Sequence, residues 1–197
     1  MFLKSTIFKR LLKEAYSGPG LRLHNDGEGM YIGGNYWGAW VKNGRIAKKE
    51  LGAIIELTGE LPETGKGFLA TKGGNQYEIW ESVMRDVMGN ARNYKRKPDV
   101  TKILIRTKQG TLARVLQDQG TGEITLLNEV FINLIDEKVV EHGESFPTGP
   151  LTGDVAGVYW FNDIMAFMAL PVDLEYSKTR KLIEDLEKFP IQEDDWQ

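Results

Sequence analysis

The spacing of apolar positions predicts a helix at the start of the chain and a series of short strands after it. Leu3, Ile7, Leu11 and Ala15 recur every fourth residue, which is typical of an amphipathic helix, and Gly18 is expected to end it. The apolar segments that follow are short and are separated by turn-forming residues, so we expect strands over 21–24, 30–32 and 36–41.

Two further helices and a hairpin are predicted in the middle of the chain. A helix begins near Ala47 and stops at Gly59, because glycine favours the left-handed conformation that closes many helices. A hairpin over 68–71 and 76–79 follows. A third helix is expected from Glu81 to about Lys95, with one apolar stripe formed by Trp80, Met84, Val87, Ala91 and Tyr94.

The second half of the chain again contains strand signals followed by a terminal helix. We expect a hairpin over 102–107 and 111–117, a strand over 124–127, and either more strand or a short helix from Asn128. A buried hairpin is predicted over 155–161 and 164–170, and a last helix runs from near Ser177 to before Pro190. The predicted fold class is therefore α+β, with antiparallel sheets built from hairpins and about four packed helices.

Charge is distributed unevenly along the chain. Residues 1–100 contain 16 Lys and Arg against 11 Asp and Glu, a balance of +5, whereas residues 101–197 contain 9 against 17, a balance of −8. We predict a basic half over 1–97 and an acidic half over 98–197, packed as one unit. Such asymmetry fits either a basic surface for an anionic partner or two halves that attract each other.

Composition excludes several classes of site. The chain has no cysteine, so disulfides, thiolate zinc sites, iron–sulfur clusters and cysteine nucleophiles are impossible, and an intracellular protein is favoured. Lys4, Lys9 and Lys13 interrupt the apolar start, which argues against a secretory signal, and the apolar tract 155–172 contains Asn162 and Asp163 at its middle. We expect a cytoplasmic protein that is not bound to a membrane.

Candidate metal and hydrolytic sites are weak. His24, Asp26 and Glu28 alternate through one predicted turn and could offer ligands, but turns are polar in any case and lack the partners that hold an imidazole in place. A second such set is Glu141, His142 and Glu144. Ser145 follows His142 closely, but the surrounding prolines and glycine indicate a surface loop. We therefore expect no metal and no other cofactor.

A metal-dependent nuclease is a third-ranked alternative. Asp136 and Lys138 form the D-x-K half of a nuclease core, and Asp118 could supply the earlier carboxylate that holds magnesium. Matches of three residues are frequent by chance, so the sequence favours a protein without catalysis.

The third predicted helix carries the strongest binding signal. At 100° per residue, Arg92 and Arg96 fall within about 20° of Arg85 on the helix surface. Gly89 lies on the same stripe and predicts a notch where a partner's backbone could approach. The predicted binding residues are Arg85, Gly89, Arg92, Tyr94, Lys95, Arg96 and Lys97. The structural alternative is that the arginines pair locally or complement the helix dipole and that Tyr94 belongs to the core.

Aromatic residues form a second group of candidate binding residues. Tyr36, Trp37 and Trp40 are interspersed with glycines, which suggests that part of this surface is exposed, whereas Tyr159 and Trp160 are expected to be buried. Exposed Trp and Tyr often anchor protein interfaces, although the commoner location of such residues is the core.

Four stretches of the first two-fifths of the chain carry a resemblance: Phe2-Leu-Lys-Ser-Thr-Ile-Phe-Lys-Arg, 31–37, 51–62 with the segment Glu-Leu-Thr-Gly-Glu-Leu-Pro, and 70–79. In these stretches the chain resembles small accessory proteins carried by phages and mobile elements of gut bacteria. The resemblance brings no catalytic motif. It implies a genomic setting whose proteins often bind host or plasmid machinery, anti-CRISPR inhibitors of nuclease effectors among them.

Together these features predict a non-catalytic cytoplasmic binding protein that occludes a macromolecular partner. A protein partner is favoured over nucleic acid, and a CRISPR effector is one candidate for it. Direct nucleic-acid binding through Arg85, Arg92 and Arg96 is the alternative, and a metal-dependent nuclease ranks third.

Overall fold

A computed structural model of the chain describes residues 1–78, 86–94, 96–138, 144–153, 156–172 and 177–191. Over these residues the protein is mostly β, with strands forming two antiparallel sheets and short helices packed on them.

The larger sheet has eight strands and draws them from both halves of the chain. Its order is β5-β4-β1-β2-β3-β11-β10-β9, and every neighbouring pair is antiparallel. The pairing of β3 with β11 joins the N-terminal hairpins to the C-terminal ones. The strands are β1 (Leu21–Asn25), β2 (Gly29–Gly33), β3 (Trp37–Lys42), β4 (Gly67–Thr71), β5 (Gly74–Glu78), β9 (Thr148–Leu151), β10 (Val158–Phe161) and β11 (Met165–Ala169).

The smaller sheet has three strands in the order β6-β7-β8. These are β6 (Asp99–Arg106), β7 (Leu112–Gln117) and β8 (Ile124–Asn128). The pairing of β6 with β7 is irregular between Val100 and Leu104, where the hydroxyl of Thr101 donates to the carbonyl of Val115 at 2.8 Å.

Five helices lie in the described part of the chain: α1 (Ser5–Ser17), α2 (Lys48–Thr58), α3 (Val87–Asn93), α4 (Glu129–Leu134) and α5 (Ser177–Leu186). Asn128 caps α4 by accepting the N–H of Val130, so the short helix is the correct one of the two alternatives for this segment. The longest, α1, has 13 residues, and none of the five has the length and apolar character needed to span a bilayer.

The predicted α+β class with about four packed helices is wrong. The predicted buried hairpin, β10–β11, extends the N-terminal sheet through its pairing with β3. Two of the helices have only six or seven residues, so the sheets dominate. The strand β9 also lies in a segment that was expected to be loop because of its glycine and prolines.

Each face of the eight-stranded sheet has its own apolar cluster. One face contains Leu23, Ile32 and Phe68 and is covered by α1 and α2, which bring Phe8 and Ile54 into the main core. The opposite face carries a smaller cluster, in which α3 packs on β10 and β11. Because side chains alternate along a strand, neighbouring residues of β1, β2 and β3 belong to different faces.

The start of α2 offers a direct test of this local structure. Ala47 is the N-cap residue, with φ −65° and ψ 143°, and no side chain caps the helix. Ala47→Ser would let a hydroxyl accept one of the unpaired N–H groups of the first turn, so we expect it to stabilise the protein by about 0.5 to 1 kcal/mol. Thermal unfolding measures this, and an unchanged or lower Tm would show that α2 begins elsewhere.

Candidate binding surfaces

The arginine-bearing helix is shorter than predicted. Asp86 is its N-cap, accepting the N–H of Gly89 at 2.6 Å, and the helix ends at Asn93 because Tyr94 adopts extended backbone angles. The predicted start over 81–85, with Arg85, and the residue Lys95 lie outside the described residues. Arg92, in the last turn, is exposed.

Arg96 does not share a helix face with Arg92, so that prediction is wrong. It lies beyond the end of α3, where its backbone forms an isolated bridge with Thr152. Its guanidinium forms an ion pair with Glu123 at 2.5 Å. Because α3 ends at Asn93, Arg92 and Arg96 do not lie on one continuous helix, and Arg96 is paired instead with a carboxylate 27 positions later in the chain.

The notch expected at Gly89 is filled. A Cβ added there would lie 2.6 Å from the carboxylate carbon of Asp86, so the glycine makes room for the capping side chain rather than for a partner. Tyr94 packs its ring on Tyr159, with centroids 4.3 Å apart, which supports the core alternative for this residue. Lys97 is exposed. Binding by these residues stays a prediction.

A different surface brings aromatic and basic side chains together on the face of the large sheet that α3 partly covers. We call it the aromatic face and define it by Arg22, His24, Tyr31, Trp40 and Leu69. Register places these residues side by side: His24 opposes Tyr31, Tyr31 opposes Trp40, and Arg22 opposes Leu69. All five are half-buried.

Glycines on neighbouring strands allow the two aromatic rings to lie flat on this face. A Cβ on Gly38 would lie 2.8 Å from the ring of Tyr31, and a Cβ on Gly29 would overlap the indole of Trp40. The indole N–H of Trp40 donates to the carboxylate of Asp26 at 2.8 Å. The rings are thus fixed in position, which lowers the entropic cost of using them to bind a partner.

The basic members of the aromatic face differ in charge. The Arg22 guanidinium donates to the side-chain oxygen of Asn35 at 3.3 Å and has no ion pair with any carboxylate in the described ranges. Burial lowers the pKa of His24, and the carboxylate of Asp26 opposes that shift. His24 is therefore mainly neutral at pH 7, and Arg22 carries the positive charge.

The other aromatic residues singled out in the sequence lie partly in the core and partly at the surface. Tyr159 and Trp160 are buried, as predicted. Trp37 is also buried, on the main-core side of β3, where its ring contacts Phe8 and Phe167. Tyr36, in the β2–β3 turn, is 67% exposed. The Tyr and Trp residues near the glycines are thus shared between core and surface.

In the first candidate metal-ligand set, the carboxylate of Asp26 is already engaged in turn contacts. Asp26 accepts the backbone N–H groups of Glu28 and Gly29 as well as the Trp40 indole, so its oxygens stabilise the β1–β2 turn. His142 lies outside the described residues. Elsewhere in the part that is described, no three His, Asp or Glu side chains are grouped as a metal site would require.

The hydrolase and nuclease candidates also lie in turns. Ser145 donates its hydroxyl to Asp163 at 2.6 Å, which ties a loop to the β10–β11 turn. The N–H of Thr121 is the main cause that lowers the pKa of Asp118, whose carboxylate also accepts the hydroxyl of Thr121. Asp136 accepts the N–H of Lys138. Whether the chain has a catalytic activity stays untested.

Comparison with known proteins gives no family: no family model matches the chain, and no curated protein matches it.

Proposed function

We propose that this chain is a non-catalytic binding protein of the cytoplasm that covers a surface of a protein partner through its aromatic face. The observation that carries the proposal is the pair Tyr31 and Trp40, held flat over glycines on a partly open sheet face beside Arg22. Tyr, Trp and Arg are the residues most enriched at the energetic centres of protein interfaces.

Two further features support a protein as the partner. The aromatic face is fixed by backbone glycines and by Asp26, so little ordering is needed on binding. Arg92 is exposed on α3, which packs on the same side of the sheet and contributes to the apolar cluster against which Trp40 packs. The resemblance to accessory proteins of phages and mobile elements suggests host machinery as the source of the partner, CRISPR effectors included.

The experiment is capture of a host protein by the immobilised chain, with matched charge reversals. Arg22→Asp changes the aromatic face, and we expect it to reduce the captured partner at least tenfold. Arg106→Asp makes the same change on β6, in the smaller sheet, and should leave capture within twofold.

Three results would contradict the proposal. The wild-type chain could retain no host protein in stoichiometric amount. The two arginine variants could weaken capture equally, which would place binding elsewhere. Capture could also disappear after nuclease treatment, which would favour nucleic acid over protein. Unchanged thermal unfolding of both variants is the control for folding.

A further inference from the structure

We propose that a second surface, built on α1 and the start of α2, binds the phosphate backbone of double-stranded nucleic acid. We call it the lysine surface; it consists of Lys4, Lys9, Arg10, Lys13, Lys48 and Lys49. It lies on the side of the large sheet opposite the aromatic face, because α1 and α2 cover the main core. The inference does not rest on the protein partner proposed above.

The carboxylates in this part of the chain do little to neutralise it. Residues 1–50 contain nine Lys and Arg against four Asp and Glu. Glu50 is completely buried, and Glu14 is 3.6 Å from Arg10. Asp136 lies beside the start of α1, where its N–H donates to the carbonyl of Phe2. The six cations of the lysine surface outnumber these three carboxylates, so the surface keeps a net positive charge.

Most of its cations are available. Lys4, Lys13 and Lys48 are exposed and Lys9 is partly exposed, and none of the four forms an ion pair with a carboxylate in the residues described. Lys49 is 3.8 Å from the buried Glu50, with most of its side chain in solvent. The nearby Arg45 is left out of the set because it acts electrostatically on Asp163.

The two segments of the lysine surface meet at one end of the large sheet. The amino group of Met1, just before α1, is 3.0 Å from Glu144. The next residue, Ser145, bonds Asp163 in the β10–β11 turn, and the backbone N–H of Lys42 donates to the residue after that aspartate. The start of α1 and the β3–α2 turn are therefore joined by one series of contacts, and α1 also packs on α2. From there α1 carries Lys9 and Lys13 one helical turn apart.

The chemistry of this surface suits phosphates better than a protein. Protein interfaces are depleted in lysine and depend on apolar or aromatic anchors, yet none of the large apolar side chains exposed in the described residues lies in 1–17 or 42–50. Lysine acts as a point charge toward phosphate oxygens. A 13-residue helix is about 20 Å long, and that length of duplex carries on the order of 12 phosphates.

Helix stability does not explain these residues. Lys48 and Lys49 occupy the first turn of α2, where cations oppose the helix dipole. The N-cap of α1 is Lys4, whose side chain makes no capping hydrogen bond. The first turn of α2 also contains Glu50, whose charge is favourable there, but the two lysines outnumber it. The N-terminal ends of both helices therefore carry a net positive charge, which is consistent with lysines that serve an external anion.

The test is fluorescence anisotropy with a labelled duplex DNA of about 20 base pairs in a salt titration. The wild-type chain should bind at about 50 mM salt, with log affinity falling against log salt at a slope of roughly −4. The double variant Lys9→Glu/Lys13→Glu should weaken binding at least tenfold and reduce the slope by about 2. Lys72→Glu/Lys102→Glu has the same charge change on exposed lysines elsewhere and should stay within twofold of wild type.

Several outcomes would overturn the inference: no duplex binding at about 50 mM salt, a slope near zero, or equal weakening by both double variants. Equal or tighter binding to phosphatidylserine vesicles would assign the surface to membranes, and equal binding to polyglutamate would assign it to acidic proteins. Arg22→Asp should leave duplex binding unchanged, because Arg22 lies on the aromatic face. Loss of duplex binding and loss of protein capture can therefore be measured separately, one for each surface.

Discussion

Gly29→Ala is expected to destabilise the protein by about 3 kcal/mol, the upper range for overpacking a site that cannot relax. The added Cβ would overlap the indole of Trp40 and would lie 2.7 Å from the carbonyl oxygen of Val41, which belongs to the β3 backbone. The ring has nowhere to move without losing its bond to Asp26. In a chain of this size, Tm should fall by roughly 6 to 12 °C.

The matched control is Gly52→Ala. Gly52 lies in α2 with no atom within 4 Å of the added Cβ, so alanine should raise stability by about 0.5 to 1 kcal/mol through its helix propensity. If Gly29→Ala lowers the free energy of unfolding and Gly52→Ala raises it, the cost at Gly29 comes from the close approach of the Trp40 ring and not from the flexibility of glycine. Equal effects in the two variants would contradict the packing described for the aromatic face.

Glu129→Gln should cost about 2 kcal/mol, because it leaves a partly buried guanidinium without its counter-charge. Arg114 donates to both oxygens of Glu129, at 2.8 and 2.5 Å, and also to the carbonyl of Thr101 at 3.1 Å. The side chains of the pair are only 18% and 15% exposed. Arg114 thus links β6, β7 and α4. Without the carboxylate of Glu129, the smaller sheet should be less stable.

Chemical denaturation measures the cost, and Glu184→Gln is the comparison. Glu184 faces Arg180 at 3.8 Å with both side chains largely in solvent, so its loss should change the free energy of unfolding by less than about 0.5 kcal/mol. If Glu129→Gln cost no more than Glu184→Gln, the ion pair would not be the link between sheet and helix that the geometry indicates.

Local signals in the sequence predict much of the secondary structure. The four-residue spacing in α1, the stop of α2 at Gly59 with its φ of 78°, and the hairpins β1–β2 and β4–β5 all follow from short-range patterns. The short length of α3 could also have been foreseen, since Asp86 is a good N-cap three residues before Gly89.

Long-range pairing could not be foreseen. Nothing local indicates that β3 pairs with β11 rather than closing a separate N-terminal sheet, and this pairing joins the hairpins of both halves into one eight-stranded sheet. The pair Arg96–Glu123 likewise depends on a contact between distant segments. The crowding of Tyr and Trp with glycines was a real signal for the aromatic face, but only the strand register shows that Tyr31 and Trp40 share one side with Arg22.

Hydrogen exchange of the chain alone and in complex with the partner it captures tests whether that partner binds to the aromatic face. Binding through the aromatic face predicts slower exchange in β1 to β3 and in α3 when the partner is present. Slowing confined to β6, β7, β8 and α5, on the smaller sheet, would contradict it.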